Sequence, residues 1–213
     1  MWYIIAQYAR LHTLAYAEIT QLISSTVRES TPTVIKQIAQ VMRPILESSL
    51  VKRVRRNHGY EHATIHMLNR KHYTLSGRAS AGGFVVFGEV PTETVEQAAE
   101  EALTRLRNGQ AHLALHPNCG TNLVTSGLIT SLIGALGFTG SRRKEAWERF
   151  PIVMLFMMIA ALYSQPIGML VQEHITTEGN VGDLELVGVT KSEMNIPFRD
   201  KPVTVHNVMT RKG

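Results

Sequence analysis

Two apolar segments close together in the chain constrain its fold more than any other feature. Between positions 122 and 171, charged side chains are confined to one block, RRKEAWER at 142–149. The uncharged segments beside this block run from 122 to 138 and from 150 to 171. Because a helix needs about 20 apolar residues to cross a bilayer, the second segment is long enough and the first is near the minimum. We therefore expect a transmembrane helical hairpin, and the alternative is a helical hairpin buried in a soluble core.

The overall composition agrees with a membrane location. Charged residues make up 18% of the chain, whereas they average about 25% in soluble domains. The formal net charge is +5, and a modest positive excess beside a bilayer suits anionic headgroups, so we expect membrane lipids and no nucleic acid as partners. We interpret the densest basic run, KRVRR at 52–56, as a solvated or lipid-facing helix end. The single cysteine excludes an internal disulfide and fits a reducing compartment.

Two signals bear on the orientation in the membrane, and they disagree. Residues 1–25 fit an amphipathic or interfacial helix and lack the basic stretch and cleavable apolar core of a signal peptide. Without an export signal, we expect an integral membrane protein with two spans and with its N-terminal region and tail on the cytoplasmic side. The basic residues of the hairpin loop favour the opposite orientation under the positive-inside rule. We give more weight to the missing signal.

Outside the hairpin, the sequence predicts an α+β fold, with a mainly helical small cap and a short β-sheet. We divide the chain into three regions. Residues 1–121 form a soluble or interfacial region that carries the metal site, 122–171 form the transmembrane hairpin, and 172–213 form a tail with short strands.

Periodicity and turn residues predict the elements of the cap. An amphipathic helix from about 33 to 51 continues into a histidine-rich segment, with Gly59 as a weak point, and a second helix covers PTETVEQAAEEALTRLRNG. Short β-prone runs predict strands at four places, and the two in the tail are expected to join the sheet of the first. These runs lie within 73–90 and at 111–115, 183–189 and 203–209. The run SGRASAGG lacks the lysine pattern of a phosphate loop, and we interpret it as a flexible turn.

The stretch NHGYEHATIHML at 57–68 concentrates residues that bind metals. His58 and His62 are four apart, so both rings lie on one face of a helix, and Glu61 adjoins the second histidine. His-x-x-Glu-His is the inverted form of a zinc-protease helix motif, in which the histidines bind zinc and the glutamate acts as general base. We treat Glu61 as the catalytic residue, with a role in orienting a ligand as its alternative. His66 continues the stripe and is interpreted as an ordinary half-buried histidine.

A second motif, HPNCGT, places His116 and Cys119 at a turn directly before the first apolar segment. A cysteine near a helix N-terminus lies in a field that favours the thiolate, the form that binds metals. A ligand set of nitrogen and sulfur favours zinc, and another divalent ion stays open. The alternative to metal binding is that Cys119 packs as a small apolar side chain. The remaining histidines, at 72, 112, 174 and 206, do not form a recognisable motif with another metal-binding residue, and we assign them no function.

The pair HGYEH and HPNCGT, followed by an apolar span, resembles a family of cyanobacterial-type membrane proteins known only as a domain of unknown function. It is also similar to a broader bacterial family described as metal-dependent enzymes, which has HGxEH followed by HPxCGT. The resemblance covers roughly residues 50–190, including GGFVVFGEV, and leaves residues 1–30 outside. It implies a metal site built from five residues: His58, Glu61, His62, His116 and Cys119. The roles of Tyr60 and His66 stay open.

These observations lead to one functional hypothesis and one rival. The first is an integral membrane zinc-dependent hydrolase, peptidase-like, in which Glu61 activates water and a membrane protein is the substrate. The rival is a membrane assembly or scaffold factor, in which His58, His62, His116 and Cys119 close around a structural metal. A redox role for Cys119 has less support, because the chain has no second thiol. The number of protein ligands distinguishes the first two hypotheses.

Overall fold

The chain has an α+β fold, as predicted, with a cap of helices and one sheet joined to two long apolar helices. The computed structural model describes residues 32–73, 75–195 and 202–213. The interfacial helix expected at 1–25 lies outside these residues. The helices are α1 (Pro32–Val41), α2 (Arg43–Leu46), α3 (Ser49–Arg70), α4 (Thr92–Arg107), α5 (Gly120–Phe138) and α6 (Arg143–Val171). The strands are β1 (Ser76–Ser80), β2 (Gly83–Phe87), β3 (Glu185–Met194) and β4 (Val203–Arg211).

The four strands form one antiparallel sheet in the order β1-β2-β4-β3. The last strand of the chain, β4, therefore lies between the N-terminal hairpin and β3, with Phe84 opposite Val208 and Val86 opposite His206. The prediction that both tail strands join the sheet of residues 73–90 is confirmed. The prediction of a flexible turn over SGRASAGG is wrong, because its first five residues form β1 and only 81–82 form the turn. Pairing with β2 stabilises a strand that its small residues alone would not predict.

The hydrophobic core lies between this sheet and helices α3 and α4. Residues of β2 alternate, so that Phe84 and Val86 are buried against the helices. The apolar stripe of α4 is buried as the sequence predicts, and it comprises Val95, Ala98, Ala99, Ala102, Leu103 and Leu106. The phenol of Tyr60 on α3 donates a hydrogen bond to the carbonyl of Ala99, at 3.0 Å. Tyr60, whose role the sequence left open, thus joins the two core helices.

The single helix predicted from about 33 to 51 is divided into α1, α2 and the start of α3, because Pro44 has no N–H to continue α1. Helix α3 itself runs without interruption through Gly59, so the prediction of a weak point there is wrong. A Cβ on Gly59 would lie 2.6 Å from the carbonyl oxygen of Glu178 and 2.9 Å from the Cβ of Ala114. Glycine is needed because two other segments pack directly on the helix backbone at this position. The helix remains intact because these contacts offset the low helix propensity of glycine.

The basic run at the start of α3 is anchored in the protein, which corrects its interpretation as a solvated or lipid-facing helix end. Arg55 is buried, and its guanidinium donates to the carbonyl oxygen of Thr177 at 3.1 Å. Arg53 donates to the carbonyl of Thr210 at 3.3 Å. The planar guanidinium group can satisfy carbonyl oxygens of the tail while its stem packs on apolar surface. The run therefore fixes the tail segments to α3.

The strand predicted at 111–115 is instead a 3₁₀ turn, Ala111–Ala114, between α4 and the HPNCGT motif. The backbone N–H of Leu113 bonds to the carbonyl of Gln110 within this turn. Residues with β propensity do not form a strand here, because no other strand pairs with them among the described residues. This turn also directs carbonyl groups toward the histidines of α3.

Helices α5 and α6 pack on each other as an antiparallel pair, and both are long and apolar enough to cross a membrane. Only 17% of the most apolar window of each helix is buried within the protein. A core helix of a soluble protein would be mostly buried, so this exposure favours the bilayer over the soluble alternative. Where the helices pack together, a Cβ on Gly168 would collide with Asn122, so glycine is needed for the close approach.

The packing at Gly59 gives a first prediction. In Gly59→Ala, the added methyl must displace the backbone at 178, and we expect a loss of about 1–3 kcal/mol in the free energy of unfolding. Thermal unfolding in detergent measures this loss as a lower Tm. Gly127→Ala is the matched control, because nothing lies within 4 Å of a Cβ at that helical position. A Tm for Gly59→Ala equal to that of the control would contradict the conclusion that close packing requires glycine at position 59.

Candidate metal centre

Two histidines of α3 present one nitrogen each toward the same point. Nδ1 of His58 lies 2.9 Å from the carbonyl oxygen of Thr176, and Nδ1 of His62 lies 2.8 Å from that of Ala114. A carbonyl can only accept, so each Nδ1 carries the hydrogen and each Nε2 keeps its lone pair. Histidines that bind metals commonly donate their other N–H to a carbonyl, which fixes the ring orientation. The two rings are therefore held in the tautomer that a metal ligand needs.

Cys119 completes a group of three. It is the N-cap residue of α5, and its Sγ accepts a hydrogen bond from the backbone N–H of Thr121 at 3.4 Å. Sγ also lies 3.4 Å from Nε2 of His58. The ligand atoms of His58, His62 and Cys119 all lie within 4.8 Å of one another. This donor set of two imidazole nitrogens and one sulfur could hold a metal ion, and it is of the kind that zinc prefers.

The protonation of these groups agrees with metal binding. Burial raises the pKa of the Cys119 thiol, but the neighbouring His62 and the backbone N–H of Thr121 outweigh burial, and the pKa lies below its ordinary value. Burial lowers the pKa of His62, and the nearby sulfur of Cys119 has a smaller opposite effect. A thiol with a lowered pKa and a neutral imidazole are both close to the forms that bind metals.

Glu61 lies beside this group, buried and incompletely bonded. It is 4% exposed, and its Oε2 has no hydrogen-bond partner among the described residues. Burial raises the pKa of Glu61 to about 7, with a lowering by His58 and a raising by Cys119 as smaller effects. A buried carboxyl oxygen without a partner is costly, so such an atom points to a function. Glu61 can exchange a proton near neutral pH.

The structure does not bring His116 into the group of three. Its Nδ1 accepts a hydrogen bond from the backbone N–H of Asn118 at 3.3 Å, so the neutral ring carries its hydrogen on Nε2. The ring centre lies 5.7 Å from that of His62 and 5.0 Å from that of His66. As placed, His116 lines the same cavity without offering a lone pair to the group. Binding a metal would require its ring to turn.

His66 is half-buried, as the sequence predicted, and Nε2 donates to the carbonyl oxygen of Leu115 at 2.8 Å. It therefore continues the pattern of His62, in which α3 is bonded to the segment that leads into HPNCGT. The role of His66 in the structure is to hold α3 to this segment.

Gln172 is a site residue that sequence reasoning missed. Its amide is fully buried, accepts from the N–H of His116 and donates to the carbonyl of His116, both at 3.0 Å. It also donates to Oδ1 of Asn122 at 2.7 Å. These bonds tie the HPNCGT turn to the end of α6. Its position directly after the uncharged run was a usable signal, because a polar side chain there needs a specific partner.

A cavity of about 600 Å³ opens over the site. Its walls include His58, Glu61, His62, His116 and Cys119, together with residues 75–79 of the β1 segment. An open cavity over three ligand atoms leaves room for water and for a substrate group. The arrangement therefore has space for chemistry at the metal position.

The family described as "Domain of unknown function (DUF6391)" matches residues 53–189. An uncharacterized protein of Picosynechococcus sp. (strain PCC 7002) is 34% identical over 142 residues, which cover 58% of this chain and 65% of the relative. The match thus spans just under two thirds of that relative. No solved structure matches the chain. The matched range includes both motifs and both apolar helices.

The raised pKa of Glu61 gives a prediction for the metal-free protein. The folded state keeps this proton more tightly than the unfolded state, so stability should be lost as pH rises from about 4.5 to about 7. Glu61→Gln has no carboxyl group at this position and should not show that loss. The free energy of unfolding of the variant, relative to that of the parent, should therefore increase between pH 4.5 and pH 7 by up to about 3 kcal/mol and then stay constant. Thermal unfolding with a chelator present, at a series of pH values, measures the difference.

Glu96→Gln is the control for this comparison, because Glu96 is exposed on α4. It should follow the pH profile of the parent. If Glu61→Gln also follows that profile, the carboxyl does not titrate as the structure indicates.

Proposed function

The chain belongs to the family described as domain of unknown function (DUF6391), and we propose that it is an integral membrane zinc-dependent hydrolase that cleaves peptide bonds. One observation carries the proposal. Three ligand atoms, from His58, His62 and Cys119, lie together at an open cavity, beside a buried carboxyl oxygen that has no partner. Three protein ligands are typical of catalytic zinc sites, whereas structural sites have four.

Each side chain has a defined task in this proposal. His58 and His62 bind through Nε2, because their Nδ1 hydrogens are engaged by carbonyl groups. Cys119 supplies the third ligand as thiolate. When bound there, zinc supplies a Lewis acid that activates water and polarises a carbonyl group. Glu61 accepts the proton that water gives up as it attacks the peptide carbonyl, and passes it to the leaving amine.

The location of the site favours a substrate at the membrane surface. Cys119 directly precedes α5, and Thr176 is the last residue of the short π-helical turn (Gln172–Thr176) that follows α6. Both contacts of His58 therefore come from one end of the apolar helix pair. If these helices span a bilayer, the site lies close to its surface, and a segment of a membrane protein is the substrate class that reaches it.

The rival function is a scaffold with a structural metal, and one observation favours it. The ligands come from separate elements, since His58 and His62 belong to α3 and Cys119 to the start of α5. A metal held by both would fasten the cap to the helix pair. This function needs a fourth protein ligand, which a rotated His116 would provide.

Metal content and activity of variants test the proposal. His62→Ala should lose the metal, whereas Glu61→Gln should keep it and lose hydrolysis of a fluorescent unstructured polypeptide by about 10²-fold or more. His112→Ala is the control, because His112 is exposed on the 3₁₀ turn, and it should behave as the parent. Metal analysis and peptide release on detergent-purified protein provide both measurements.

X-ray absorption at the metal edge separates the two functions. Zinc with two nitrogen ligands, one sulfur and one water oxygen supports the hydrolase. A closed set of three nitrogens and one sulfur supports the scaffold, and undiminished hydrolysis by Glu61→Gln would exclude Glu61 as general base.

We further propose that both helices span the membrane and that the cap and tail face the cytoplasm. Ser141 lies between the two helices, at the end away from the cap, and the native thiol is buried. In intact cells, Ser141→Cys should react with a membrane-impermeant thiol reagent, whereas Ser80→Cys on the cap should not. The reverse labelling pattern would place the cap outside.

A further inference from the structure

The cavity over the metal centre runs along the edge of the sheet. Five consecutive residues, 75–79, line it, and they include most of β1. Successive side chains of a strand point to opposite faces, so five in a row can border one cavity only along the backbone edge. Among the described residues, β1 pairs with β2 alone. Its second edge therefore presents backbone N–H and C=O groups to the cavity.

The inner face of β1 touches the site at Gly77. A Cβ on Gly77 would lie 2.5 Å from Oε1 of Glu61, so the strand backbone packs directly on the carboxyl group. Any side chain at this position would push Glu61 or the strand away. Glycine at the centre of β1 thus lets this edge strand lie directly over the proposed general base, so that its edge, unpaired among the described residues, is close to the site.

We infer that the edge of β1 binds an extended polypeptide, which adds to the sheet as a fifth strand and passes over Glu61 and the metal centre. The inference rests on the proposed function, and it adds how the substrate is held. A strand edge offers alternating donors and acceptors, and another extended backbone is the chemical partner that matches them along their length. The substrate must therefore be unfolded locally, as a loop or a terminus of a protein is.

Arg78 gives the groove a charge preference. It is exposed, lines the cavity, and forms no ion pair with the described residues. A carboxylate on the bound segment would meet this guanidinium at the wall of the cavity. We expect the groove to favour a segment with an acidic residue near the scissile bond.

The opposite edge of the sheet provides an internal control. Strand β3 is longer than β1 and pairs with β4 alone among the described residues, but the pocket beside it includes three acidic residues, Glu96, Glu100 and Glu185, and one basic residue, Arg107. The pocket beside β3 lacks the metal-binding group, and its charge is mainly negative, whereas Arg78 makes the groove beside β1 positive. A peptide that recognised any strand edge would use β3 as readily as β1.

Binding is tested on full-length Glu61→Gln protein loaded with zinc, so that the probe is not cleaved. The probe is a fluorescein-labelled decapeptide of alternating valine and threonine with one central aspartate. A photo-crosslinking p-benzoylphenylalanine at Ser76 should capture it, and the same group at Thr190 on β3 should not. Alternate N-methylation of the probe removes its donors and should weaken binding by at least about tenfold.

Arg78→Gln tests the charge preference separately. It should weaken binding of the aspartate probe about fivefold and leave an asparagine probe unchanged. Equal capture at both edges, equal affinity of the N-methylated probe, or no binding at all would each overturn the inference.

The outcomes separate this inference from the proposed function. Donor-dependent capture at Ser76 by a parent protein that hydrolyses nothing would support the peptide groove and reject the hydrolase. Zinc-dependent hydrolysis that is unaffected by N-methylation at positions remote from the cleaved bond would support the hydrolase and reject the groove.

Discussion

The attachment of α3 to the two turns at the end of the helix pair is the contact on which the rest of the structure depends. Gly59 lets the backbone at 178 pack on the helix, and His58 and His62 donate to carbonyl groups on either side of that contact. These bonds have a double effect. They join the cap to the helices, and they set the tautomer that leaves both Nε2 atoms free. The contacts that join the cap to the helices therefore also orient the ligands of the site.

Buried polar groups around the site fall into two classes. Gln172 and Asn57 are fully buried and bonded: Asn57 donates to the carbonyl oxygens of Ser80 and Ala81 and accepts from Thr210. Such groups position backbone segments, because a buried amide must find its partners. Glu61 differs, since one of its oxygens has none among the described residues. Arg53, Arg55 and Arg56 also have a buried Nε without a partner, so what distinguishes Glu61 is that its atom belongs to a carboxyl group, which can accept a proton.

Much of the architecture could be predicted from the sequence, and the failures share a cause. The apolar helices, the stripe of α4 and the tail strands follow from periodicity and were predicted correctly. Gly59, the run SGRASAGG and the segment 111–115 were not, because each takes its conformation from a neighbour distant in sequence. Gly59 meets residue 178, β1 pairs with β2, and the 3₁₀ turn lies against α3. Local propensity is overridden where such contacts are present.

The same distinction holds for the candidate site. By itself, the sequence determined the fold class, the pair of apolar helices, and the presence of His58, Glu61, His62 and Cys119 in two motifs, since these depend on composition and on spacing along one helix. The tertiary structure alone decided that Cys119 meets the two histidines while His116 bonds to Asn118 instead. It also decided that Glu61 packs against β1 at Gly77. Distances between motifs more than 50 residues apart are set by packing, and packing is a property of the whole chain.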